Sequence, residues 1–151
     1  MNKKIIFWVI IAVLITVIAV LLQFTPDIDG STLVIEKKDG ETVEMAMEDI
    51  LRLEGITFPT ADPVISQFYE KYKKDSLVKV FYVQQFLHTE DFAGLIFHST
   101  DGARVLIENE PIILITLEKQ NKDYSLRLII PGDSFSQRWL KNVCRITIHE
   151  N

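Results

Sequence analysis

Between Ile5 and Leu22 the chain carries 18 consecutive residues without a charge, and beyond Asp27 the apolar positions instead recur every second residue or every third to fourth. Twenty helical residues rise about 30 Å, the thickness of a bilayer's hydrocarbon core, so the first run is long enough to span a membrane. Thr32–Glu36 is a β-branched run followed by Lys37, Lys38, Asp39 and Gly40, and Glu41–Met45 is its returning partner. An Asp-Gly pair between two strand-like runs predicts a tight hairpin. Apolar residues at Met47, Ile50, Leu51 and Leu53 predict a short amphipathic helix ended by Gly55. Two prolines, Pro59 and Pro63, make 57–63 a loop, with Asp62 placed to cap a helix that has Pro63 at its first position. Ile65, Phe68, Tyr69 and Tyr72 then form a helical stripe that reads as core.

From Leu77 to Leu87 the pattern changes from strand (Val78, Val80, Tyr82) to helix (Val83, Phe86, Leu87). The remainder is strand-rich. Leu95–Ser99 turns through Thr100-Asp101-Gly102 into Ala103–Ile107, a second Asp-Gly hairpin. Ile112–Leu117 and Tyr124–Ile130 are joined by a charged turn over 118–123, and after Pro131-Gly132, a polar loop and Trp139 the last strand is Val143–Ile148. The sum is an α+β domain with one largely mixed or antiparallel sheet.

The apolar run divides the chain into an anchor over 1–25, a linker over 26–31 and a domain over 32–151. Lys3 and Lys4 precede the run and Asp27 and Asp29 follow it. The positive-inside bias therefore predicts a single-pass anchor in the cell membrane, with the N-terminus cytoplasmic and the domain outside, in the periplasm or at the cell exterior. A cleaved secretory signal is the alternative, but its apolar region would be shorter and no small-x-small site stands near 23–26. No cysteine follows the run, which excludes a lipoprotein anchor.

Charge sharpens the reading of the domain. The whole chain is at −5, and with Lys3 and Lys4 set aside the body holds 14 basic against 21 acidic residues, a net −7. A nucleic-acid partner is therefore not expected. At 48% hydrophobic and 25% charged residues the chain is neither disordered nor low-complexity, and a single cysteine excludes a disulfide framework or a cysteine-rich zinc site. Cys144 reads as a small buried strand residue, His98 as a hydrogen-bonded structural histidine and His149 as solvated. His88, Glu90 and Asp91 could make a loose metal site, although three such donors in a turn also suit a solvated turn. No phosphate loop, paired-histidine helix or nucleophile elbow is present.

Two segments carry a family resemblance. One is 126–146, with Leu126-Arg127-Leu128, Pro131-Gly132, Arg138-Trp139, Lys141 and Arg145-Ile146; the other is 94–105, with Phe97-His98-Ser99 and Asp101-Gly102. Together they resemble the molybdopterin-binding domain of the sulfite-oxidase family, over about residues 94–148. The resemblance implies that family's mixed-sheet fold behind the transmembrane helix, and it implies that Arg138 and Lys141 help hold the phosphate and pterin of the cofactor. Read from charge alone, both are surface cations pairing with the domain's excess carboxylates. Catalytic members of the family give molybdenum a cysteine thiolate from the first half of the domain, whereas the only cysteine here is Cys144 in the last strand. No metal ligand and no catalytic residue is therefore assigned.

The expectation is a membrane-anchored, non-catalytic binding or scaffolding module. Its expected partners are the membrane, through the N-terminal helix, and a membrane or envelope protein; no cofactor is required, with molybdopterin the one that Arg138 and Lys141 could hold. The alternative is a molybdopterin-dependent oxidoreductase or electron-transfer subunit that binds the pterin without a cysteine ligand, and a further one is an unrelated α+β domain.

Overall fold

The structure, a computed structural model, describes residues 10–17, 30–87 and 92–149. Residues 10–17 are helical (α1). The domain then runs β1 (Thr32–Glu36), β2 (Thr42–Ala46), α2 (Met47–Arg52), α3 (Pro63–Tyr72), β3 (Leu77–Tyr82), α4 (Gln84–Leu87), β4 (Gly94–Ser99), β5 (Arg104–Glu108), β6 (Leu114–Gln120), β7 (Asp123–Ile129), β8 (Leu140–Lys141) and β9 (Val143–His149). Both Asp-Gly hairpins form. Gly40 and Gly102 take φ of +82° and +85°, where a side chain would be strained. Asp39 and Asp101 accept from the backbone N–H two residues on, at 2.9 and 3.0 Å, which closes each turn.

The expected single sheet is corrected to two. One has five strands in the order β2-β1-β9-β4-β5, with β1 and β9 parallel and the other pairs antiparallel. The other is antiparallel with four strands, β3-β6-β7-β8. The chain passes from one to the other between β8 and β9 at Asn142, which has a left-handed φ of 53°. The reason for two layers lies in β6 and β7, which bury side chains on both faces and so need a cover on each side. The result is a mixed α+β domain, mostly β, in which two packed sheets replace the one mixed sheet expected from the family resemblance.

The span expected to form a transmembrane helix falls largely outside the described residues, and among those described no helix is long and apolar enough to cross a membrane. Of the span 5–22, only α1 is described, and its eight residues rise about 12 Å. The rest of that span lies outside the described residues.

Between the sheets sits the main core. Leu33 and Ile35 of β1, Leu95 and Phe97 of β4 and Ile146 of β9 meet Phe81, Ile115, Leu117, Leu126 and Leu128 of the four-stranded sheet, all of them buried. Burial of each such side chain stabilises by about 1.5–3 kcal/mol. The opposite face of the four-stranded sheet carries α3, where Ile65, Phe68 and Tyr72 pack on Val80, Leu114 and Ile129. As the sequence predicts, Asp62 caps α3, its Oδ1 accepting from the N–H groups of Val64 at 2.8 Å and Ile65 at 3.1 Å.

Two local expectations change. The charged turn shrinks to Asn121-Lys122, because β6 runs to Gln120 and β7 starts at Asp123; Glu118 is buried inside the sheet. Helix α2 ends at Leu53 in extended backbone, and Gly55 serves a different need. The N–H of Ile56 donates to the carbonyl of Val80 at 2.7 Å, and a Cβ on Gly55 would lie 3.1 Å from that same oxygen.

Candidate functional site

A groove of about 670 Å³ opens between α3 and the connection from Pro131 to Trp139. Its walls come from Phe68, Lys71 and Tyr72 on α3 and from Gly132, Phe135 and Trp139 on the connection. The helix can present this wall because Val64, Gln67, Phe68, Lys71 and Tyr72 fall three and four residues apart. Trp139 stands edge-on to both rings, with centroids 6.0 Å from Phe68 and 5.4 Å from Tyr72, while those two stack at 5.1 Å. Its indole N–H donates to the carbonyl of Ile130 at 3.1 Å, so the ring has one orientation. Phe135 forms part of the lining and is 75% exposed.

Arg138 shapes this groove without lining it. Its Nη1 donates to Glu110 at 2.5 Å, its Nε to both oxygens of Asp133 at 3.1 and 3.2 Å, and its Nη2 also donates to Asp133. Asp133 and Glu110 raise its pKa further above the usual arginine value. The guanidinium thus ties the connection to the segment before β6, as a surface cation paired with carboxylates. Lys141 lies on β8 directly across from Arg127 of β7, exposed, and outside the groove lining. Arg138 sits in a turn and Lys141 in a strand, so the two cations do not face a common ligand from one element.

Beneath the C-terminal turn of α3 lies a polar cluster that sequence reading missed. The Tyr72 hydroxyl donates to Glu118 Oε1 at 2.6 Å. Arg127 Nε lies 3.2 Å from the same oxygen, with the two side chains 14% and 7% exposed. That Nε lacks the alignment of a hydrogen bond and has no other partner among the described residues, and Thr116 Oγ1 beside it is likewise buried and unpartnered. Arg127 and Lys74 stand 5.8 and 4.8 Å from the Tyr72 ring centre. Burial first, and the bond to Glu118 second, push the Tyr72 phenol well above its usual pKa, so it stays protonated. The one signal was Arg127, a charge between Leu126 and Leu128; Glu118 opens a charged run and gave none, and the pairing needs strand register to be seen.

The remaining sequence candidates separate. Cys144 is buried, its thiol donates to the carbonyl of His98 at 3.4 Å, and burial raises its pKa. His98 Nε2 lies 3.2 Å from Thr147 Oγ1, and His149 is exposed. His88, Glu90 and Asp91 lie outside the described residues. Among the described residues, no three His, Cys, Asp or Glu side chains converge as metal ligands.

These positions do not fit an anionic pterin cofactor. Its phosphate would have to compete with two carboxylates for Arg138, and Lys141 does not share the groove wall. Comparison of the chain with protein-family models, with curated proteins and with solved structures finds no match. The likeness to the sulfite-oxidase family therefore stands on the two sequence segments alone.

Proposed function

We propose that the domain is a non-catalytic binding module whose groove between α3 and the Pro131–Trp139 connection takes an apolar peptide segment of a protein partner. The observation that carries the reading is Phe135, a large ring left 75% exposed beside the fixed aromatic wall of Phe68, Tyr72 and Trp139. Exposed aromatic groups next to a well-packed concave wall are what interface anchors look like before a partner arrives. The Arg138 ties supply the second requirement, because a connection already held in shape loses less entropy on binding. The uncharged run Ile5–Leu22 supports a place beside a membrane and a membrane or envelope protein as partner.

Panning a random peptide library against the detergent-solubilised full chain tests this. Peptides rich in apolar and aromatic residues are expected, with binding at least tenfold weaker to Phe135→Ser. That substitution is at an exposed site, so thermal stability should stay within about 0.5 kcal/mol of the parent. Peptides that bind the parent and Phe135→Ser equally, or a library that yields none, would overturn the reading.

A further inference from the structure

The face of the five-stranded sheet turned away from the core holds a second feature, remote from the groove. Strand register places Arg145 of β9 directly across from His98 of β4, and His98 directly across from Arg104 of β5. Directly opposed residues of antiparallel strands point to one face with neighbouring strands about 4.8 Å apart, so the three form a continuous row. Leu106, which alternates with Arg104 on this face, is 47% exposed, so the face is open. Two guanidinium groups flanking an imidazole is an arrangement that costs stability, since like charges opposed across a sheet repel. In a body at −7, such a row is not explained by general charge.

The neighbouring groups leave the row short of acceptors. Glu36 of β1 reaches only its far end, with Oε2 at 3.6 Å from Arg145 Nη1 and at 3.4 Å from Thr147 Oγ1. Arg145 Nε is buried with no partner among the described residues. Arg104 is exposed, and no ion pair to it is present among the described residues. The other charged groups on this face are Glu44 of β2, beyond Val34 in the same row, and Glu108 and His149 near Gly94 at the other end of the strands.

We infer that the Arg104–His98–Arg145 row is a binding site for a tetrahedral dianion, a phosphate or sulfate group carried by a ligand or free in solution. Three donor side chains on three adjacent strands match three oxygens of such a group, and guanidinium forks suit them geometrically. Binding also removes the repulsion stored along the row. Burial, then Arg145 and Arg104, hold His98 below the usual histidine pKa, while Glu36 acts weakly in the other direction. A dianion seated between the two arginines reverses the cationic contribution and raises the pKa of His98. By linkage, the anion then binds more tightly as pH falls through that range.

The test is a histidine-detected NMR titration of the full chain in a nonionic detergent, with sodium sulfate, inorganic phosphate and sodium chloride at matched ionic strength. Sulfate keeps its charge between pH 5 and 8, so the pKa of His98 is read directly. Saturable shifts at His98 are expected, with a raised pKa, in sulfate or phosphate but not in chloride; whichever of the two binds more tightly identifies the group. Arg104→Gln, an exposed site whose fold is checked from the same spectra, should weaken the binding at least tenfold. Arg145→Lys keeps the charge and loses the fork, and it should weaken binding while preserving the pH trend. Equal shifts in chloride, binding undiminished by Arg104→Gln, or a His98 pKa unmoved at saturation would each overturn the site.

Discussion

The two faces of the four-stranded sheet are built on different principles. The face toward the five-stranded sheet has an apolar centre, with Phe81, Ile115, Leu117, Leu126 and Leu128 locked against β1, β4 and β9. The face under α3 has fewer apolar side chains, and among them it buries Glu118, Arg127, Thr116 and the hydroxyl of Tyr72. The first face supplies most of the stability through burial, which is indifferent to exact partners. The second fixes where α3 sits, because a buried ion pair gains little net energy yet is costly when mismatched. Since α3 forms one wall of the groove, its position decides what the groove can hold.

The largest effect should come from the apolar face. Phe81→Ala removes a ring that is 0% exposed, and it should lower the unfolding free energy by about 3–5 kcal/mol, measured by urea denaturation. A loss near 1 kcal/mol would mean that the two sheets pack loosely around this ring.

The polar face is the sharper case. Glu118→Ala leaves the Arg127 charge buried without its carboxylate and should cost about 3 kcal/mol, whereas Glu118→Leu combined with Arg127→Met should restore much of the loss. If the double variant is as unstable as the single one, the pair contributes stability in its own right and the contrast between the faces fails.

A smaller effect is expected from pH. The pKa of Tyr72 is raised in the folded state, so its contribution is complete below the unfolded value near 10.0 and is lost as pH rises above it. Urea unfolding between pH 9 and 11 should therefore show a steeper fall for the parent chain than for Tyr72→Phe. Parallel curves would mean that burial and the bond to Glu118 together do not hold the phenol protonated.

Much of the local structure was legible from residues alone. Asp39-Gly40 and Asp101-Gly102 predicted two hairpins, and Asp62-Pro63 predicted the start of α3, because in each case the chemistry acts within a few residues. The candidate site was legible only in part. Trp139 stood out in the family-like segment, and it packs edge-on to Phe68 and Tyr72 with its indole N–H held by Ile130. Arg138 and Lys141, taken together from the family resemblance, turned out to belong to different local structures: one closes a connection through Asp133 and Glu110, and the other lies across from Arg127. Phe135 carried no signal in a polar loop, since exposure is a property of the folded surface.

By itself the sequence determined the strand and helix periods, the two Asp-Gly turns, the negative body charge and the single cysteine, all of which follow from nearest-neighbour chemistry or from counting. Tertiary structure alone decided that the strands form two sheets, that Glu118 is buried against Tyr72 and Arg127, and that Arg104, His98 and Arg145 share a row. These depend on register and on which face meets which layer, and a one-residue slip in a strand would exchange every inward side chain for an outward one.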